Sequence, residues 1–216
     1  MMKRTIIALI STLIVLWADA QTEEKMEMIA NSFTISEISS EIKARMQGKS
    51  MPEGAQIGFG QLRYLKMLHY TPSGEIKEGE MVVSKDIAED VVAIFKELFE
   101  AEYPIERMQL IDDYAADDGK SMSANNTTAF CYREISGGGK LSKHALGIAI
   151  DINPLYNPYV KGGKVEPEAG LPYVNRRQKF AMKITKNDLA YKVFTRHGFK
   201  WGGNWKSLKD YQHFEK

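Results

Sequence analysis

The chain carries four histidines, His69, His144, His197 and His213. Two of them sit among acids at spacings that can do chemistry. His144 is followed by Gly147-Ile148-Ala149-Ile150-Asp151-Ile152-Asn153, and His213 has Asp210 three residues before it and Glu215 two residues after. None opens an H-E-x-x-H helix, which excludes that class of metalloprotease. Zinc takes nitrogen and oxygen ligands in a tetrahedron, and a catalytic zinc keeps three protein ligands and one open position. A histidine at the mouth of a strand can fold back to meet a carboxylate further along it, so His144 and Asp151 form a candidate pair, with Gly147 clearing the path. A third ligand must come from elsewhere, and His213 on a neighbouring strand can supply it. Two imidazoles and one carboxylate around zinc leave a net charge of +1, which lowers the pKa of water to near 7. The plainer reading takes these as ordinary polar residues. Against it stands Asp151, because a carboxylate within an apolar strand is costly to bury unless paired or bound to metal.

The elements that must position these groups follow from periodicity. From Gly147 to Asn153 the alternation is strict: Ile148, Ile150 and Ile152 face a core, and Gly147, Ala149, Asp151 and Asn153 face the other way. Ile87, Val91, Ile94, Phe95, Leu98 and Phe99 predict an amphipathic helix capped by Ser84 and closed before Pro104. Leu62–Leu68 and Gly79–Val83 read as strands around a turn at Pro72-Ser73-Gly74, and Met108–Ile111 as another. Thr34 and Glu37 have capping-box spacing for a helix over 35–46. Asn187 caps a short helix ending at Arg196, Gly137-Gly138-Gly139 is a hinge, and Asp210–Glu215 is a final strand. Residues 48–60, 115–126 and 154–180 read as loops. The sum is one α+β domain: a small, mainly antiparallel sheet with the candidate metal site on one face and helices packed on the other.

Composition narrows the classes further. With 216 residues, 44% apolar and 26% charged, the chain suits a globular domain. Lys+Arg is 29 and Asp+Glu 28, so nothing points to nucleic acid. Residues 1–20 have the layout of a secretory signal peptide: Lys3 and Arg4, the apolar run Thr5–Trp17, then Ala18-Asp19-Ala20. The run is shorter than the ~20 residues a spanning helix needs, so no stable membrane insertion is expected after cleavage. The lone Cys131 excludes an intramolecular disulfide and reads as a small buried residue. The expected organisation is 1–20 signal peptide, 21–60 leader and helix, and 61–216 zinc domain, exported to the periplasm or outside the cell as a monomer.

The segment S-K-H-A-L-G-I-A-I-D, residues 142–151, resembles the S-x-H-x-x-G-x-A-x-D signature of the D-alanyl-D-alanine carboxypeptidase and L-alanyl-D-glutamate peptidase family. W-G-G-N-W-K-S-L-K-D-Y-Q-H-F-E, residues 201–215, resembles that family's second signature, with an acid three residues before the last ligand histidine. The similarity is expected to reach back to about residue 80. The resemblance implies zinc held by His144, Asp151 and His213, with Asp210 as the catalytic acid. Glu215, on the same strand face as His213, is the competing base. Asp210 must then lie in a loop or bulge before the final strand, since residues three apart on a regular strand face opposite ways. The family commonly carries an arginine in a G-Y-R-like segment, for which Cys131-Tyr132-Arg133 is the nearest match, making Arg133 a candidate substrate-binding residue and otherwise a surface ion-pair partner. Ser142 matches the family's serine and either contacts substrate or caps a turn. Trp201 and Trp205 either wall the cleft or pack in the core.

The resemblance implies zinc-dependent hydrolysis of an amide in peptidoglycan stem peptides, by carboxypeptidase or endopeptidase action. Asp rather than Glu at 210 leans toward the endopeptidase type. The alternative is a non-catalytic, zinc-stabilised cell-wall binding module. His69 and His197 read as surface residues, and Asp112, Asp113, Asp117 and Asp118 as a solvated acidic loop.

Overall fold

A computed structural model describes residues 29, 31–135 and 138–216. The signal-peptide assignment, most of the leader and Gly137 of the hinge lie outside the described residues. In chain order the strands and α-helices are β1 (Thr34–Ser36), α1 (Ser40–Met46), β2 (Leu62–Tyr70), β3 (Ile76–Ser84), α2 (Ala88–Glu100), β4 (Arg107–Met108), α3 (Asp118–Ser123), β5 (Asn126–Thr127), β6 (Ala149–Asp151), β7 (Tyr159–Lys161), β8 (Lys164–Glu166), α4 (Leu189–Arg196), β9 (Lys200–Trp201), β10 (Lys209–Asp210) and β11 (His213–Glu215). The expected α+β arrangement holds, with the antiparallel strands divided among three small sheets, β1-β2-β3, β10-β7-β8 and β6-β11-β9. A short parallel pair, β4-β5, completes the set.

The helix at 88–100 anchors the core. Val91, Ile94, Phe95, Leu98 and Phe99 are buried on the stripe that the 3.6-residue period dictates, against Leu65, Met67, Met81 and Val83 of β2 and β3. Helix α4 extends this layer: Phe194 meets Phe95 edge-on at 6.2 Å and stacks on Phe214 of β11 at 4.4 Å. Ile150 and Phe214 thus seat the β6-β11-β9 sheet on the helices and turn Asp151 and His213 the other way. A second cluster packs Ile38, Ile42, Met46 and Met51 on Leu62, Val82 and Phe130.

Several elements differ from their sequence readings. Thr34–Ser36 pairs as an edge strand with Tyr64–Lys66, so the helix begins at Ser40, where Ser39 Oγ accepts from the Ile42 amide. Ser84 ends β3 and its Oγ accepts from the Asp86 amide, while α2 opens at Ile87 without a side-chain cap. Asp188, rather than Asn187, caps α4. The strand read over 108–111 is confined to Arg107–Met108, and Ile111–Tyr114 winds into a 3₁₀ turn. The stretch 115–126 holds α3, capped by Asp117, whose carboxylate accepts from the Lys120 amide. The stretch 154–180 holds the β7–β8 hairpin, turning at Gly162 and Gly163 with φ of 54° and 86°.

Candidate metal centre and active site

The register of β6 and β11 sets His213 directly opposite Asp151, and cross-strand partners project from the same face. His213 Nδ1 lies 3.0 Å from Asp151 Oδ1. His144 enters from the 3₁₀ turn His144–Leu146 just before β6, its Nε2 3.3 Å from Asp151 Oδ2 and 3.2 Å from His213 Nδ1. All three side chains are buried, and their ligand atoms lie within 4.8 Å of one another.

These groups fit a zinc ion on two observations. Ligand atoms at ~2.0–2.1 Å from a tetrahedral zinc stand about 3.3 Å apart, close to the separations found here. Each imidazole also has its far nitrogen anchored, leaving the near one for a metal. His144 Nδ1–H donates to the Ala129 carbonyl at 2.6 Å, and His213 Nε2–H donates to Glu215 Oε2 at 3.4 Å. The turn carrying His144 is itself pinned, since its amide donates to Ser142 Oγ at 3.2 Å. Gly147 has a different purpose from the one expected. Its φ is 67°, its carbonyl accepts from the Ser84 amide, and a Cβ there would lie 2.6 Å from that nitrogen. It lets the turn press against the end of β3.

Asp210 stands on a different sheet from the ligands. It pairs with Tyr159 of β7, and Tyr211-Gln212 bends the chain back into β11. This break in the strand resolves the three-residue spacing and turns Asp210 toward the same cavity as His213. Gly202 permits the arrangement, because a Cβ there would lie 2.8 Å from Asp210 Cβ and 3.3 Å from His213 Cβ. The bend is tied down by Trp201 Nε1–H, which donates to the Tyr211 carbonyl at 2.8 Å, and by the Arg176 guanidinium, 4.4 Å above the Tyr211 ring. Arg176 also donates to the carbonyls of Tyr156 and Ile184 and to Asn157 Oδ1, fastening the 154–184 excursion to the bend.

Electrostatics separate the acids. Burial alone would raise Asp151, but the His144 and His213 imidazoles hold its carboxyl far below the usual range. Burial would lower His213, yet its hydrogen bonds to Asp151 and Glu215 push it up to about 10. Glu215 is lowered by its bond to His213. Asp210 is pushed up to about 7 by burial, which outweighs the opposing pull of His213. Its Oδ1 is shut off from solvent, with no hydrogen-bond partner among the described residues.

A cavity of about 880 Å³ holds the triad, Asp210, Ser142 and Arg133. Arg133 forms an ion pair with Asp118 at the start of α3, so it is both a cavity residue and an ion-pair partner. Trp205 lines the cavity with its ring 5.3 Å from that of His213, whereas Trp201 packs in the core. The sequence reading missed Asp118, Gln212 and the β7–β8 hairpin as cavity walls. Two of these had a signal: the hairpin in its Gly-Gly pair between Tyr159-Val160-Lys161 and Lys164-Val165-Glu166, and Gln212 in its place beside His213 within the second signature. His69 is buried, with Nδ1–H donating to the Ile105 carbonyl at 2.8 Å. His197 is half-buried, 3.0 Å from Asp90 Oδ1. Both were expected at the surface, and neither joins the site. In the supposed acidic loop, Asp112 is buried, its carboxylate accepting from the Ser50 amide and hydroxyl.

Residues 136–216 match the family model described as D-alanyl-D-alanine carboxypeptidase. The resemblance read from the two signatures is borne out over this segment, which contains all three candidate ligands and Asp210, while the match does not reach back to residue 80 as expected. The match begins at residue 136, so Arg133 and Asp118 lie outside it. Neither the curated proteins nor the solved structures yield a match to the chain.

Proposed function

We propose that the chain is a zinc-dependent peptidase cutting an amide bond in peptidoglycan stem peptides, of the D-Ala-D-Ala carboxypeptidase or L-Ala-D-Glu endopeptidase type. One observation carries the reading: three buried ligand atoms converge in a cavity that also holds Asp210, a carboxyl with an unpartnered oxygen. His144 Nε2, Asp151 and His213 Nδ1 would hold the zinc. When bound, zinc supplies Lewis-acid polarisation of the scissile carbonyl and acidifies water. Asp210 then takes the proton from the attacking water and returns it to the leaving amine, a task suited to a carboxyl raised toward neutrality. Glu215 is already engaged by His213 Nε2–H and serves to orient that ring. Arg133 and Ser142 contact the substrate, with Arg133 presenting its charge to a peptide carboxylate in place of Asp118.

The proposed organisation is a cleaved signal peptide at 1–20, a leader and helix at 21–60 that packs on the domain through β1 and α1, and the zinc peptidase domain at 61–216; the enzyme works as a monomer outside the cytoplasm. The test is incubation of the zinc-loaded protein with peptidoglycan fragments and mass spectrometry of the products. Release of a D-Ala terminus identifies the carboxypeptidase, and a new D-Glu amine the endopeptidase. Full zinc occupancy without amine release would turn the reading to a non-catalytic binding module.

A further inference from the structure

The ion pairs on the cavity wall are of two kinds. Lys120–Asp117 and Lys164–Glu166 rest on lysines that are mostly exposed, and such solvated charges select weakly. Arg133 and Asp118 form the other kind. Their side chains are 35% and 34% exposed, so the pair is partly withdrawn from water yet reachable from the cavity. Both backbones are fixed. Asp118 opens α3 directly after the Asp117 cap. The Arg133 carbonyl accepts from the Ser142 amide at 3.0 Å, and the Cys131 amide donates to the His144 carbonyl, so Arg133 stands beside the turn that carries the candidate ligand His144.

Arg133 is the one ion-pair partner of Asp118 among the described residues. Burial disfavours the Asp118 anion, and the Arg133 charge is the largest influence opposing it. In the reading above, a substrate carboxylate takes the place of Asp118 on Arg133. A carboxylate alone would leave Asp118 without the cation that balances it, and stripping a partly buried charge of its partner offsets the new contact. A substrate group that brings an ammonium with its carboxylate leaves neither charge unpaired.

We infer that Arg133 and Asp118 together bind an α-amino-acid group, an ammonium and a carboxylate on one carbon. In a stem peptide that group is the side-chain end of a diamino-dicarboxylic residue, whereas a lysine side chain supplies the ammonium only. Arg133 takes the carboxylate, and Asp118 is the specificity-determining residue that reads the ammonium. This rests on the peptidase reading given above.

The experiment uses the zinc-loaded full chain and three stem peptides that differ at one side chain. The first carries meso-diaminopimelate, with both charges. The second carries lysine, with the ammonium alone. The third carries diaminopimelate acetylated on its side-chain nitrogen, with the carboxylate alone. Wild-type kcat/KM should fall roughly tenfold or more from the first peptide to each of the others. Asp118→Asn should keep stoichiometric zinc, lose a similar factor on the first peptide, and no longer distinguish it from the acetylated one. Wild-type protein with equal kcat/KM on the first peptide and on either of the others overturns the inference, as does an Asp118→Asn variant with the discrimination intact. In those cases the peptidase reading stands. Wild-type protein that releases no amine from any stem peptide overturns both. The comparison on wild type needs no variant, so it decides the matter even if Asp118→Asn does not fold.

Discussion

Two regions of this molecule bury acids, and they do so in opposite ways. Beneath α1, Asp112 accepts from the Ser50 amide at 3.1 Å and the Ser50 hydroxyl at 3.0 Å. Nearby, Glu80 is bound by the Arg45 guanidinium and by the Tyr64 hydroxyl at 2.6 Å, and these hold it below its ordinary range against the effect of burial. Every such acid has a partner from the chain itself. Around the cavity, Asp151 faces two imidazoles whose near nitrogens crowd together, and Asp210 Oδ1 has no hydrogen-bond partner among the described residues. Buried polar groups cost free energy unless satisfied. The first region meets that cost internally, and the second, on the reading proposed above, is completed by a bound zinc ion. Burial of charge thus separates scaffold from site only when the partners are traced.

The comparison can be broken most severely at the triad. His144→Ala should abolish stoichiometric zinc, measured by elemental analysis, and hydrolysis with it; unchanged zinc would dissolve the distinction between the regions. Because His213 is raised in the metal-free protein, it is protonated at neutral pH, and zinc must displace that proton. Zinc affinity should therefore fall as pH falls. Calorimetry in buffers of different ionisation enthalpy should register proton release near neutrality.

Asp210→Asn should retain zinc and lose about 10²–10⁴-fold in turnover. In the wild type, Asp210 must be ionised to act as base, so kcat/KM should rise with pH along an acidic limb. A bound zinc ion beside it should pull that limb below 7. An active Asp210→Asn variant with the limb intact would move the role to Glu215. Glu215→Gln, by contrast, should weaken zinc binding about 10–100-fold while zinc-saturated turnover persists. The smallest effect belongs to the scaffold. Asp112→Ala strands the Ser50 donors and should lower stability by about 1–3 kcal/mol in denaturant titration, with zinc content and kcat unchanged.

The sequence made the site more legible than the frame around it. His144 and Asp151 lie seven residues apart on one turn and strand, so local alternation sufficed to suggest them. His213 needed the second signature, because its register opposite Asp151 is non-local. The spacing of Asp210 and His213 implied a break in the strand, but not that the break divides two sheets. Helix α2 was plain from its wide apolar stripe, whereas α3 has little stripe to show and is held by the Asp117 cap and its surroundings. The edge strand β1 carries Ile35 at helical spacing with Ile38 and Ile42, and only pairing with β2 overrides that period. Asp118 had no local signal, since contacts distant in sequence bring it to the cavity, whereas Gln212 stood unread beside His213 in the second signature.

The division between the ligand sheet and the β10-β7-β8 sheet has a consequence for how such a protein can change over generations. The proposed cation cage depends on β6, β11 and the turn before them, while Asp210, the proposed acid, shares its strand pairing with a hairpin that also walls the cavity. Tyr211 and Gln212 are the shortest of the chain links between the two. Hairpin residues can therefore drift, lengthen or be exchanged, altering which peptide is accepted and how the acid meets it, while the cage is inherited intact. New selectivities in this architecture should arise by grafting at residues 159–166, with the rest of the chain as an unaltered host.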